Sequence, residues 1–163
     1  HLHPIDVPRF AKLGVIASMQ GVHASSDGPW VPKRLGEPRA GERTYVWRSL
    51  IDSGALVSNG TDVPVEDIDP LASFRASVTR EMVNGQRFHP EQNMTRQEAL
   101  ASYTWNNAYA GFEEDLKGSL APGKLADFVV LDRDILRVPD AELASAQVLH
   151  TVLAGRVVYS RAP

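Results

Sequence analysis

The sequence predicts an α/β protein followed by a smaller β unit at its C-terminal end. Residues 1–110 alternate short apolar runs with helical patterns, which is the order of elements in a parallel α/β unit. Residues 118–123 (GSLAPG) form a turn-rich linker. Beyond this linker, runs of β-branched residues flank a Gly-containing turn, a pattern typical of antiparallel strands.

The first predicted elements are a helix, a buried strand and a long loop. Residues 6–13 predict a helix with Asp6 as its N-cap and Gly14 as its stop signal. Residues 15–19 form an apolar run that suits a strand buried on both faces. Residues 20–41 contain three Pro and four Gly, so they predict an irregular loop of the size that often carries function.

A capping box marks the last predicted helix of the α/β part. Thr95 and Glu98 have the capping-box spacing, and the helix that they open is predicted to run to Ala110. The other predicted elements are a helix over 44–53, a strand over 55–58, a helix over 70–83 with Gly85 as its stop, a strand over 126–131, and a hairpin of 148–152 and 156–160.

Composition and charge exclude several function classes. The chain has 163 residues with 43% hydrophobic and 23% charged side chains, which is ordinary for a globular protein. Its 17 basic and 20 acidic residues give a net charge of −3, so nonspecific binding to nucleic acid is not expected. The absence of cysteine excludes disulfide frameworks, thiolate zinc ligands and cysteine nucleophiles. No apolar run approaches the roughly 20 residues of a membrane span, so no membrane partner is expected.

Asp62 is the strongest candidate for a catalytic or metal-binding residue. It follows a predicted buried strand in residues 58–64 (SNGTDVP), and parallel α/β proteins bind ligands at the carboxyl ends of their strands. A carboxylate at this place can bind a metal ion or accept a proton from water. Aspartate also closes turns without any further role, so its position alone leaves both interpretations open.

Histidines and two loop residues are further candidates. His1 and His3 form an H-x-H pair, which on a strand would suit a divalent metal, although terminal histidines are also common remnants of tags. His23 follows a predicted strand, where it can contact a substrate carbonyl or a metal-bound water, or be a surface residue. Trp30 and Arg39 in the same loop can line a pocket, or can pack and be solvated.

Motifs of other enzyme classes are absent from the sequence. It contains no P-loop, no G-x-G-x-x-G dinucleotide motif, no G-x-S-x-G elbow and no H-E-x-x-H. Phosphate transfer and serine hydrolysis are therefore poorly supported.

Several segments occur in the order found in one known family. They are 18–23 (SMQGVH), 34–36 (RLG), 45–50 (YVWRSL), 60–65 (GTDVPV) and 117–132 (KGSLAPGKLADFVVLD). Together they resemble the C-terminal part of metal-dependent hydrolases of the amidohydrolase superfamily. The G-x-L-x-P-G-K-x-A-D stretch is typical of the superfamily, and the SMQ and GTDVP segments indicate the N-substituted formamide deformylase-like branch.

This resemblance implies the C-terminal portion of a distorted TIM (β/α)8 barrel plus part of a small β-sandwich domain. Residues 1–117 would hold roughly the last three barrel strands with their helices, and residues 118–163 the C-terminal share of the sandwich. A third of a barrel has open strand edges. We therefore expect the chain to belong to a longer protein, and to be inactive and unstable alone.

The resemblance also implies roles for individual residues. Asp62 matches the Asp after the last barrel strand, which binds metal and shuttles the proton of the water. His1 matches the metal ligand that ends the sixth strand. His23 matches a His after the seventh strand, which we assign to substrate or transition-state contact. Arg39 matches an Arg in the long loop and is assigned to the substrate pocket, where we also place Trp30 from its position in the same loop. The remaining metal ligands would lie before His1.

The function predicted from these inferences is that of a metal-dependent hydrolase that cleaves a non-peptide amide or other C–N bond with metal-activated water. The expected cofactor is a divalent metal, with zinc as the preferred identity, bound as one or two ions. The expected partners are a small-molecule substrate, the missing N-terminal part of the same protein and a second copy in a homo-oligomer, and the expected compartment is the cytoplasm. The alternative is a noncatalytic α/β module that binds a small ligand or a partner chain and holds no metal.

Overall fold

The computed structural model describes residues 1–162 and shows an α/β part followed by an antiparallel sheet. No helix in this range is long and apolar enough to cross a membrane. The strands are β1 (Ala17–Gln20), β2 (Val57–Gly60), β3 (Phe128–Leu131), β4 (Val148–Leu153) and β5 (Arg156–Ser160). The α-helices are α1 (Val7–Leu13), α2 (His23–Asp27), α3 (Val31–Leu35), α4 (Glu37–Arg43), α5 (Trp47–Asp52), α6 (Pro70–Thr79), α7 (Arg96–Tyr103), α8 (Trp105–Ala110) and α9 (Asp140–Leu143), and turns of 3-10 helix cover Pro4–Asp6 and Pro90–Gln92.

Strands β1 and β2 run parallel, as the strand–helix alternation predicts. Ala17 lies opposite Val57, and Gln20 lies opposite Gly60. Because both strands end at the same register, the segments that follow them leave the sheet side by side. This shared edge is where the sequence places its candidate functional residues.

The third barrel strand implied by the resemblance is not found in the described residues. Over residues 1–162 the parallel sheet consists of β1 and β2. His1 and His3, expected at the end of a strand, instead precede the 3-10 turn Pro4–Asp6, where the His3 Nδ1 accepts a 3.4 Å hydrogen bond from the Ile5 N–H. Pro4 has no N–H to donate to a strand ladder.

The irregular loop predicted over residues 20–41 is wrong, because this segment contains α2, α3 and α4. Helices α3 and α4 each carry a proline in their first turn, where its fixed φ and missing N–H fit a helix N-terminus. Gly36, with a φ of 78°, separates the two helices. Pro32, Gly36 and Pro38, which suggested a loop, are therefore helix boundaries, whereas Gly41 lies within α4.

Left-handed backbone shortens two of the predicted helices. Tyr45 has a φ of 52°, so α5 begins at Trp47 and not at residue 44. Arg80 also has a φ of 52° and ends α6 after Thr79. Neither residue is a glycine, so the sequence pattern carried no sign of either break.

The predicted helix from Thr95 to Ala110 begins as expected but is interrupted. Thr95 and Glu98 form both hydrogen bonds of the capping box. Thr104 has a φ of −126° and a ψ of −90°, which are not helical values. The segment is therefore divided into α7 and α8.

Side chains of α8 cover the edge of β2 that faces away from β1. Asn106 Nδ2 donates to the Val57 carbonyl at 2.8 Å, and Asn107 Nδ2 donates to the Asn59 carbonyl at 2.9 Å. Residues two apart on a strand point their carbonyls to the same side. The two amides therefore take the hydrogen-bonding positions of a neighbouring strand.

The core of the α/β part combines apolar side chains with several buried polar ones, the largest of which is Arg80. Trp47, Leu50 and Val31 are fully buried, and burying a side chain of this kind contributes about 1.5–3 kcal/mol. Arg80 is fully buried as well, with its guanidinium carbon 4.6 Å from the centre of the Trp47 ring and 5.4 Å from that of Phe88. Both rings can interact with its charge through their faces.

The predicted C-terminal hairpin is present and forms part of a larger sheet. Strands β3, β4 and β5 pair antiparallel in that order. Several apolar side chains of this sheet are exposed, among them Val129 (53%) and Val157 (61%). Ile135 and Leu143, which follow β3, are buried in the same core as Trp47. The domain boundary between residues 117 and 118 remains a prediction.

Candidate active site

His23 and Asp62 meet at the carboxyl ends of the parallel strands. His23 is the first residue of α2, three positions after Gln20 ends β1, and Asp62 lies two positions after Gly60 ends β2. The Nε2 atom of His23 lies 3.3 Å from Oδ2 of Asp62. Two residues selected separately from the sequence are thus brought into contact.

A tight turn presents the Asp62 carboxylate to solvent. Asp62 has a φ of 62°, a left-handed conformation that aspartate adopts more readily than most residues. Its carbonyl accepts hydrogen bonds from the N–H groups of Val65 (2.8 Å) and Glu66 (3.2 Å). The Asp62 side chain is 41% exposed and that of His23 is 19% exposed. Water therefore reaches the carboxylate, whereas the imidazole is largely enclosed.

Tyr45 belongs to the same cluster and was missed as a functional candidate in the sequence. Its ring centre lies 5.9 Å from that of His1 and 6.4 Å from that of His23, both in edge-to-face arrangements. Its hydroxyl donates a hydrogen bond to Oδ2 of Asp27. Burial raises the pKa of the phenol, and the hydrogen bond to Asp27 raises it further, so Tyr45 is a protonated donor at neutral pH.

Acidic groups give this cluster a negative field. Ser26 Oγ donates to Oε1 of Glu66 at 2.5 Å, which joins α2 to the turn after β2. The charge of Glu66 also contributes to the raised pKa of Tyr45. Asp27, Asp62 and Glu66 favour a cation at this edge of the sheet, while the buried charge of Arg80 acts on Tyr45 in the opposite direction.

The other two predicted pocket residues make their contacts elsewhere. Trp30 is 45% exposed, and the guanidinium carbon of Arg34 lies 5.9 Å from the centre of its ring. Arg39 is exposed on α4, where its Nε donates to the Leu35 carbonyl at 2.9 Å. The assignment of Trp30 and Arg39 to substrate stays a prediction.

The donor chemistry of the cluster fits part of a metal site. His1 is exposed and touches the Tyr45 ring, and the Asp62 carboxylate is accessible to water. Imidazole nitrogen and carboxylate oxygen are both accepted by zinc. Within residues 1–162, however, no group of three or more His, Asp or Glu residues is arranged to hold an ion. Additional ligands are needed to complete a site.

A cavity of about 960 Å³ lies apart from this cluster. It is open to solvent and is lined by α7, α8, the linker after residue 117 and β3, and its apolar wall includes Trp105, Leu120 and Phe128. None of the candidate residues for catalysis, substrate or metal lines it.

Comparison with known proteins identifies the family. Residues 2–159 match the amidohydrolase family Amidohydro_3. The chain belongs to this family. The resemblance carried by the SMQ, GTDVP and PGKLAD segments is thereby confirmed.

Curated relatives share the sequence over most of this chain. It is 38% identical to LONG AFTER FAR-RED 3 of Arabidopsis thaliana over 98% of its length, and 32% identical to the amidohydrolase YtcJ of Bacillus subtilis over 95%. It is 35% identical to N-substituted formamide deformylase of Arthrobacter pascens over 77% of its length. The chain spans only 27%, 30% and 23% of these relatives, respectively.

Solved structures support the same relationship. A metal-dependent hydrolase of Pyrococcus horikoshii OT3 superposes with a TM-score of 0.74 at 30% identity, over 86% of this chain and 29% of that protein. A metal-dependent hydrolase of Pyrococcus furiosus gives a TM-score of 0.71 at 32% identity, over 83% of this chain and 27% of that protein. The α/β part and the small antiparallel sheet are therefore an amidohydrolase arrangement.

Proposed function

We propose that the protein is a metal-dependent hydrolase that cleaves a non-peptide amide or other C–N bond with metal-activated water. The observation that carries this proposal is the 3.3 Å contact between His23 and Asp62 at the carboxyl ends of β1 and β2. Ligands collect at this edge in parallel α/β proteins. Membership of the amidohydrolase family and the likeness to metal-dependent hydrolases support the reaction class.

Asp62 and His23 have different tasks in this reaction. The exposed Asp62 carboxylate accepts a proton from the attacking water and returns it to the departing amine. His23, held beside it, donates a hydrogen bond to the oxygen that gains negative charge. A divalent ion, when bound, lowers the pKa of water and polarises the substrate carbonyl.

His1 and Asp62 would supply part of the metal site, with zinc as the proposed ion. The donor types suit zinc, and the acidic surroundings favour a cation. We propose that a preceding segment of the same polypeptide supplies the other ligands, since the curated relatives are more than three times as long as this chain. One or two ions would then be bound per protein.

Replacement of the Asp62 carboxylate tests the proposal. In the full-length protein supplied with zinc, Asp62→Asn is expected to lower kcat by about 10²–10⁴-fold, because the amide cannot accept the proton. The assay measures release of 4-nitroaniline from 4-nitroformanilide, an N-substituted formamide. Asp115→Asn is the matched control, since Asp115 is an exposed carboxylate in the turn after α8.

Metal content provides the second measurement. We expect one or two divalent ions per full-length protein by elemental analysis, and loss of hydrolysis after chelation. Unchanged turnover in Asp62→Asn would remove Asp62 from the mechanism. A full-length protein that holds no metal after supplementation, and hydrolyses neither the formamide nor other amides, would instead be a binding module.

A further inference from the structure

We propose that Tyr45 is a positioning residue that fixes the imidazole of His23 beside Asp62 by holding both ends of α2. This inference rests on the proposed function, because it concerns the geometry of the same two groups. Tyr45 reaches one end of α2 through its hydroxyl on Asp27 and the other end through the edge contact of its ring with His23.

Helix α2 cannot set its own orientation. It has five residues, and its N-cap position is Val22, which provides no side-chain hydrogen bond. A single turn of helix is unstable by itself in water. His23 and Asp27 are four residues apart, so they lie on the same face of the turn. Buried Ala24 and the Ser26–Glu66 hydrogen bond attach α2 to its surroundings, and the contacts of His23 and Asp27 on their shared face then direct the imidazole.

The position of Tyr45 is in turn determined by the core. Its left-handed backbone, with a φ of 52°, costs of order 1 kcal/mol and persists only when the surroundings enforce it. Its carbonyl accepts a 2.9 Å hydrogen bond from Nη1 of Arg80. Arg80 is fully buried between the rings of Trp47 and Phe88. A rigid part of the molecule thus directs the phenol toward α2.

The arrangement excludes a direct proton-transfer role for the hydroxyl in its present position. The Tyr45 proton is donated to Asp27, and the ring presents only its edge or face to His1 and His23. Removing the hydroxyl keeps the ring contacts and releases only the Asp27 end of α2. The expected result is a displaced His23, and a displacement of about 1 Å at a catalytic group can lower the rate by about 10²-fold.

The test is a double-mutant cycle in the full-length, zinc-supplied protein with 4-nitroformanilide. Tyr45→Phe is expected to lower kcat by about 10- to 100-fold with KM changed less than about threefold, because the oxygen contacted by His23 gains its charge in the transition state. In a His23→Gln background, Tyr45→Phe should not lower kcat any further. Asp27→Ala should lower kcat by the same factor as Tyr45→Phe, and the variant that carries both substitutions should lose no more than either one alone.

The controls separate positioning from general stability. Tyr109→Phe also removes a phenolic hydroxyl, but Tyr109 stacks on Trp105 at 5.4 Å and is 43% exposed, so kcat should stay at the wild-type value. Equal losses from Tyr45→Phe in the wild-type and His23→Gln backgrounds would overturn the inference, as would an unchanged kcat. If His23→Gln and Asp62→Asn both retain full activity, the proposed function itself fails, and this outcome is distinct from a neutral Tyr45→Phe.

Discussion

Arg80 is fully buried and still donates hydrogen bonds to two backbone carbonyls. Its Nη1 bonds to Tyr45 at 2.9 Å and its Nε bonds to Phe88. Burial lowers the pKa of Arg80 to about 10, so the guanidinium is charged at neutral pH. The planar guanidinium donates to both carbonyls, and its carbon lies over the rings of Trp47 and Phe88. At the scale of single residues, Arg80 is therefore the link between the core and the candidate site.

Arg80→Lys is expected to lower the free energy of unfolding by about 2–3 kcal/mol, because a lysine ammonium cannot bond both carbonyls and stack on both rings. Urea denaturation of the full-length protein measures the loss. Arg137→Lys is the matched control, since the Arg137 side chain is 87% exposed, and it should change stability by less than about 0.5 kcal/mol. Equal stability of Arg80→Lys and the wild type would contradict this account of Arg80.

Some residues of the site could be predicted from the sequence and others could not. Asp62 and His23 could be selected because polar residues that follow short apolar runs meet at the carboxyl edge of a parallel sheet. Tyr45 and Arg80 could not, because their roles depend on left-handed backbone and on a hydrogen bond between residues 35 positions apart. The pocket assignments of Trp30 and Arg39 came from their place in the predicted loop, with the family resemblance added for Arg39, and both stay predictions.

At the scale of elements, an ion pair ties α5 to α7. Arg48 donates from both terminal nitrogens to the two carboxylate oxygens of Glu98, and two further bonds go to the Asn93 carbonyl. The hydrogen bonds from Arg48 are the main cause that lowers the pKa of Glu98 from 4.5 to about 2. A bidentate pair of this kind is stronger than an ordinary surface ion pair.

Glu98→Gln is expected to lower the free energy of unfolding at pH 7 by about 1–2 kcal/mol, after allowance for partial exposure to solvent. Because the pKa of Glu98 is depressed in the folded state, this stabilisation is present above pH 4.5 and is lost as the pH falls towards 2. Thermal unfolding of both proteins between pH 7 and pH 2 measures the difference. Glutamine preserves the capping box, so the substitution removes the charge and one of the two hydrogen bonds from Arg48.

The control for this prediction is Glu113→Gln. Glu113 forms an exposed pair with Lys117 four residues later, and pairs of this kind contribute about 0.3–0.5 kcal/mol. A stability difference for Glu98→Gln that stays constant from pH 7 to pH 2 would show that the charge of Glu98 is not its cause.

Helix and strand types could be predicted from the sequence more reliably than their limits. The capping box of Thr95 and the left-handed Gly14 after α1 were both readable because each depends on a local rule. The break at Thr104 and the helices within 20–41 were not. Tertiary contacts decide these positions. A proline in the first turn of a helix also cannot be distinguished by sequence from a proline in a loop.

At the scale of the whole molecule, the C-terminal sheet leaves apolar side chains on its surface. Val129, Val157 and Val158 of this sheet are each more than half exposed. Several exposed apolar side chains on one small sheet indicate a surface that another segment or chain can cover. This observation supports the expectation that the sheet is part of a sandwich.

The 163-residue chain produced alone is expected to self-associate, because its exposed sheet and the open edge of β1 offer apolar surface and unpaired backbone groups. Size-exclusion chromatography with light scattering measures the state. Val157→Lys together with Val129→Lys should shift the distribution towards the monomer, whereas Lys12→Arg, on exposed α1 surface, should not. A monodisperse monomer that unfolds cooperatively would contradict the expectation.

Two asparagines of α8 make the two edges of the parallel pair β1–β2 different from each other. Asn106 and Asn107 already donate to the outer carbonyls of Val57 and Asn59, so a further strand beside β2 would displace hydrogen bonds that a strand beside β1 would leave in place. A strand that joined beside β2 would exchange two side-chain hydrogen bonds for two backbone ones, and an exchange that conserves their number changes the free energy little. Helix α8 therefore covers the outer edge of β2 with side chains where a neighbouring strand would use its backbone.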